Sequence, residues 1–249
     1  IEVDGKVFKL SKSEKFYVNY RGKSGSQAAS LTAKGRQAMG TNFKWGGVPN
    51  KGTHSSKSNT LGIMATEDNT TVVLSGYDPG CEFRVGGNRA GITANSHTIT
   101  LNANESFVYE TYIGNTHTQA HEDGWIGASI VSTKDIVISN GSINFGSQDG
   151  KSHRDAGIDQ PVPINKLGKE YVFIRGNGNT NGLTEFPLVI ATADNTHVYV
   201  NGSTTPLATI DNGEYFKIPS SYYSSNSVGA NMFVQTSKDV YAYQSMAGS

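Results

Sequence analysis

The sequence predicts an all-β protein built from two tandem, related, antiparallel β-sandwich-like units. Three observations carry that reading. The composition suits strands and turns: of 249 residues 29 are Gly, only 17% are charged, and 12 Tyr and 10 Phe supply strand-forming aromatics. Nowhere do apolar residues hold a helical spacing over the ~11 positions that a helix face requires. And four blocks of the chain recur in the same order, as two copies of one unit.

YVNYRG at 17–22 recurs as YVFIRG at 171–176, and ATEDNTTV at 65–72 recurs as ATADNTHV at 191–198. Glu105, Ser106 and Phe107 return as Glu214, Tyr215 and Phe216, and STKDIVIS from Ser132 has its partner in TSKDVYAY from Thr236. The separations are 154, 126, 109 and 104 residues, so the first copy carries 28, then 17, then 5 extra residues between successive blocks. The largest surplus falls around 24–58, a Gly-, Ser- and Lys-rich stretch that includes Trp45. Insertions of this kind form loops over a scaffold, where binding residues concentrate. The expected organisation is a first β unit over 1–145 with long loop insertions, a connection over 146–168, and a shorter second unit over 169–249.

Each unit reads as five or six short strands joined by tight turns. GIMAT and TTVVLS flank Glu67, Asp68 and Asn69, a hairpin pattern, because Asp and Asn tolerate the positive φ of a tight turn. Lys134 with Asp135 punctuates a second hairpin, repeated at Lys238 with Asp239, and Asn104 and Gly213 mark a third. Val72 and Leu74 align with Val198 and Val200, which puts the apolar face on the same side in both copies and His197 on the outer face. Closely spaced strands of this kind build a sandwich or barrel; a β-propeller-like arrangement of repeats is the alternative.

Chemical motifs are sparse. GSQDGKS at 146–152 is one residue short of a phosphate loop, Gly22–Lys23–Ser24 lacks the upstream Gly, and Gly176–Asn177–Gly178 resembles a dinucleotide fingerprint, but none opens a helix. No GxSxG elbow occurs, and the lone Cys81 would need a positioned base to act as a nucleophile. Glu67 and Asp68 sit in a turn whose second copy reads Ala193–Asp194, so a turn role accounts for both aspartates. An enzyme is therefore not expected. HTQAHED brings His117, His121, Glu122 and Asp123 into one loop and would suit Zn, but no helix surrounds it. Asp149, Asp155 and Asp159 make the join rich in oxygen ligands that would suit Ca, although their spacing matches no EF-hand. No other cofactor is expected.

Aromatic residues are the better lead to a ligand. Trp45 in FKWGG and Trp125 in EDGWIG have no partner in the second copy, and Tyr222 and Tyr223 lie in an SSYYSS loop. Such rings either stack on a sugar or anchor a protein partner, or fold back to plug the end of a sandwich.

Lys plus Arg number 21 and so do Asp plus Glu, without a basic cluster. Nothing drives counterion release from nucleic acid or adsorption to anionic lipid. A single Cys forbids an intrachain disulfide, and no apolar run approaches the ~20 residues of a membrane span. The opening at Ile1, without Met or signal peptide, reads as a piece of a longer polypeptide.

Four long blocks, LTAKGRQAMGTNFKWG, GIMATEDNTTVVLSGYDPG, HRDAGIDQPVPINKLGKEYVFIRGNG and NMFVQTSKDVYAYQSMAGS, resemble the IgGFc-binding-protein N-terminal-like region. More specifically, they resemble the version found in large surface proteins of gliding bacteria that use type IX secretion and commonly end in a gliding-motility-associated sorting domain. The resemblance covers nearly the whole chain. It implies an extracellular or cell-surface β-rich adhesion module that binds a glycan or surface protein, with no catalytic motif. The antibody ligand in the family's name is not implied.

Overall fold

The computed structural model describes residues 13–14, 16–25, 27–50, 57–113, 119–145, 154–177 and 185–246. β1 (Asn19–Ser24) and β2 (Gln27–Thr32) form a hairpin ahead of the first large sheet. That sheet contains β3 (Gly40–Lys44), β4 (Lys57–Ala65) and β5 (Thr70–Ser75). A small hairpin follows, β6 (Phe83–Val85) with β7 (Asn88–Ile92). The first sheet continues with β8 (Ser96–Leu101) and β9 (Ser106–Ile113). After the short helical turn α1 (Gln119–Glu122) it is completed by β10 (Ser129–Phe145) and β11 (Asp155–Asp159). The second sheet holds β12 (Gly168–Ile174), β13 (Glu185–Ala191), β14 (Thr196–Val200), β15 (Ala208–Ile210), β16 (Tyr215–Lys217) and β17 (Asn231–Met246).

One long strand organises each sheet. The start of β10, Ser129 to Ser132, pairs with β5 on one side and β3 on the other; beyond a bulge, Ile136 to Ile143 pairs with β4. β17 does the same with β14, β12 and β13. A strand that bends through a bulge belongs to both layers of a sandwich and closes its corner. Both sheets are thus nearly closed, barrel-like sandwiches rather than propeller blades.

The expected hairpins are corrected by this geometry. β4 and β5 each ladder onto β10 instead of onto one another, and β8 lies on β5 while β9 lies on β4. Lys134 and Asp135 lie at the bend of a single 17-residue strand. The tight turns are there, but they arch between layers, and an arch and a hairpin share one residue pattern. The corners bond to one another: Ala103 N–H donates to Asp68 Oδ1 at 2.9 Å, Lys134 Nζ donates to Asp68 O at 2.6 Å, and Thr66 Oγ1 donates to Asp135 O at 2.7 Å.

The duplication holds to the residue. Ile136 faces Ala65 as Val240 faces Ala191, Thr70 faces Leu101 as Thr196 faces Ile210, and Met64 faces Ser106 as Ile190 faces Tyr215. The match of YVNYRG to YVFIRG, however, does not survive. Phe43 lies opposite Ile130 as Tyr171 lies opposite Val234, so β12 corresponds to β3, whereas residues 19–22 belong to β1, whose strand partner among the described residues is β2. The separation there is 128 residues rather than 154, and the supposed 28-residue insertion is not inside the unit. The 17-residue surplus is the true elaboration, and it carries β6 and β7.

The units share a core. All seven residues of β13 are buried; Phe186, Leu188 and Ile190 join the first unit's core while Val189 and Ala191 join the second's. Burial on both faces is what an unbroken apolar strand signals. At the junction Tyr215 Oη donates to Asp123 Oδ2 at 3.0 Å and Tyr241 Oη donates to Val162 O at 2.6 Å. A Cβ on Gly127, whose φ is +79°, would overlap the Gly213 carbonyl oxygen, and one on Gly46 would overlap the Tyr243 hydroxyl. Glycine is required at 127 for two backbones to approach and at 46 to leave room for the Tyr243 phenol.

Candidate binding surface

The two tryptophans meet inside the first unit. Trp45 and Trp125 are each 0% exposed, with ring centroids 3.9 Å apart and planes 13° from parallel. Trp45 Nε1 donates to Thr60 O at 3.1 Å, and Phe83 stands edge-on to Trp125 at 5.1 Å. Register gives Trp45 a counterpart, Phe173, in the second core. With both faces covered, the pair serves the packing role that the sequence left open. Tyr223 is also buried, beneath the Arg175 guanidinium at 5.8 Å from its ring centroid. Burial, then the nearby Glu185 carboxylate, pushes its phenol up to about 12, against the opposing pull of Arg175. Tyr222, next to it, is exposed.

The titratable candidates disperse. Cys81 is buried, its thiol donates to Ala120 O at 3.1 Å, and burial with the Asp78 and Asp123 carboxylates pushes it up to about 12. A thiol held protonated at neutral pH is a poor nucleophile. Asp68 Oδ1 and Asp194 Oδ1 accept backbone N–H groups of the adjoining corners, from Ala103 and Asn212. His121 is buried, and its Nε2 accepts the Glu82 N–H at 3.2 Å. His117, Asp149 and the side chain of Asp155 lie outside the described residues. Asp159 is paired with Lys34 Nζ at 2.9 Å. Among the described residues no three His, Cys, Asp or Glu side chains gather as metal ligands. Of the near-miss phosphate motifs, Gly22–Lys23–Ser24 lies in β1, a strand, and 146–152 lies outside the described residues.

What the first unit presents outward is the β6–β7 hairpin. Its Gly86–Gly87 turn projects Val85, 50% exposed, between Arg84 and Arg89. Arg84 Nη1 reaches Glu110 Oε2 at 3.3 Å, and the Arg89 guanidinium lies 3.4 Å above the Tyr112 ring centroid, so both arginines are held against the outer face of β9. A planar cation on an aromatic face keeps its edge donors free for a second partner. The signal for this hairpin was in the sequence, as a 17-residue surplus containing a Gly-Gly turn between FRV and NRAGI.

Residues 28–249 match the model of the IgGFc binding protein family. The chain belongs to the IgGFc-binding family. Both units lie within the match, which begins inside β2. No curated protein and no solved structure matches significantly. Among the described residues no helix is long and apolar enough to cross a membrane. This IgGFc-binding chain therefore comes from a family of binding domains, on an all-β scaffold.

Proposed function

We propose that the chain is an extracellular ligand-binding module that holds a surface protein or glycan on the β6–β7 hairpin of its first unit. The observation that carries this is the hairpin itself. It is the largest departure between two units that otherwise agree in register, and it presents two oriented arginines beside an aromatic ring. Arg and Tyr are the residues that dominate binding hot spots. The resemblance to the surface proteins of gliding bacteria extends the reading to adhesion, as part of a longer polypeptide exported by type IX secretion.

A spacer that only adds length would repeat its inter-unit contact. Continuing the β3–β10 and β12–β17 registers puts Ile174 and Asn231 of the second unit at the positions of Gly46 and Gly127. Those side chains stand where the inter-unit contact tolerates none, which favours a finite two-unit body over an array.

The test is saturable binding of the intact chain to a glycan array, to immunoglobulin Fc and to mucin glycoproteins. Arg89→Ala should weaken a confirmed interaction by about tenfold or more. Wild-type affinity in that variant, and in one whose hairpin is shortened to a two-residue turn, would remove the hairpin from the site.

A further inference from the structure

The zero net charge conceals a division along the chain. Residues 15–66 hold eight Lys or Arg and no Asp or Glu, whereas residues 67–249 hold 18 Asp or Glu against ten Lys or Arg. Of the described cations in the first stretch, three are used within the fold. Lys34 Nζ pairs with Asp159 Oδ1, Lys57 Nζ donates to Asn50 O at 3.0 Å, and Lys44 is only 6% exposed, against Gly213 of the second unit. Arg21, Lys23 and Arg36 are exposed, and among the described residues no carboxylate lies within ion-pair distance of them.

Two of these free cations stand on the β1–β2 hairpin, ahead of the duplicated units. Alternation along β1 puts Asn19, Arg21 and Lys23 on one face. The Ala33 N–H donates to Val18 O at 3.0 Å, which carries the pairing back to 18 and brings Tyr17 into the same row. Tyr17 is 97% exposed. At ~3.3 Å per residue the row is about 20 Å long, with its two cations about 7 Å apart. Asn19 orients the first of them: its Oδ1 accepts the Arg21 Nε–H at 2.9 Å, while its Nδ2 donates to Thr32 Oγ1 at 3.1 Å. The guanidinium is thereby held with its terminal nitrogens open to a ligand.

A row of this kind fits a linear ligand that carries rings and widely spaced anions. The phenol ring offers a flat apolar face to a sugar, and the cations offer charge-assisted hydrogen bonds to its acid groups. Double-stranded DNA presents a charge about every 1.7 Å, far denser than two cations about 7 Å apart.

We propose that this face of the β1–β2 hairpin binds an acidic polysaccharide, with a sugar ring on Tyr17 and carboxylate or sulfate groups on Arg21 and Lys23. The site is separate from the β6–β7 hairpin, and either can fail without the other.

The experiment is biolayer interferometry of the immobilised intact chain against alginate, which carries carboxylates, dextran sulfate, which carries sulfates, and uncharged dextran. Alginate or dextran sulfate should bind saturably, the comparison identifying the anionic group, and dextran should not. Affinity should fall at least about tenfold in the double variant Arg21→Gln/Lys23→Gln, as expected for lost charge-assisted hydrogen bonds. Tyr17→Ala should weaken polysaccharide binding but not the binding of poly-L-glutamate, a polyanion without rings. No binding of either acidic polysaccharide, an equal response to dextran, or tighter binding of duplex DNA or phosphatidylserine vesicles would overturn the assignment. So would full polysaccharide affinity in either variant at an unchanged urea midpoint.

Discussion

Asp68 Oδ1 accepts the Ala103 N–H at 2.9 Å, and Asp194 Oδ1 accepts the Asn212 N–H at 3.0 Å, so the two carboxylates lock the same corner of two different sheets. Each corner also receives a lysine, Lys134 or Lys238, on the aspartate's own carbonyl. Because the sites lie in separate units, Asp68→Ala and Asp194→Ala should each cost about 1–2 kcal/mol and add in the double variant. Urea denaturation checks both statements. A strongly non-additive pair would mean that the corners are not independent.

Trp45 and Trp125 should behave as core residues. Replacement of either by Ala removes a stacked, fully buried ring and should destabilise the fold by about 3–5 kcal/mol. Phe at the same positions should restore most of that. Loss of ligand binding with an unchanged urea midpoint would show that the rings act on the ligand rather than on the core.

Gly127→Ala should disturb the junction specifically. The residue sits at φ +79° and its Cβ would overlap the Gly213 carbonyl oxygen, so backbone strain and a clash coincide. A loss of about 2 kcal/mol or more is expected, with earlier proteolysis near the junction. Gly25→Ala, at φ +59° with no atom within 4 Å of its Cβ, separates strain from collision.

Cys81 gives the alkaline response. Its native value of about 12 stands above the ordinary thiol value of 9.0, chiefly through burial. A raised folded value means that the stabilisation is fully present below pH 9.0 and is lost as pH climbs toward about 12. Stability followed by urea midpoint should decline across that window, less steeply in Cys81→Ala. At pH 8 the native thiol should resist Ellman's reagent and react fully once the chain is unfolded.

The repeat was legible because identical corners demand the same Asp, Asn and Lys at the same places. Asn69 and Asn195 both hold positive φ, at 54° and 52°. Two things were not legible. The YVNYRG match rested on composition alone, and the strand that truly corresponds, GTNFK, shares little with GKEYVFI beyond its leading Gly and its place against the long strand. The candidate surface was sought around 24–58 for the same reason, when the surplus that forms a separate element was the smaller one at β6 and β7.

By itself the sequence determined an all-β chain, a duplicated unit, the turn residues and the inward face of the strands, since these depend on local backbone preference and on alternation along a strand. Only the tertiary structure decided whether a tight turn closes a hairpin or arches between layers, where the tryptophans go, and that Lys44 is covered by the second unit. Those outcomes depend on which distant strand supplies the hydrogen-bond partners and on which surfaces two units bury together, and neither is encoded within a few residues.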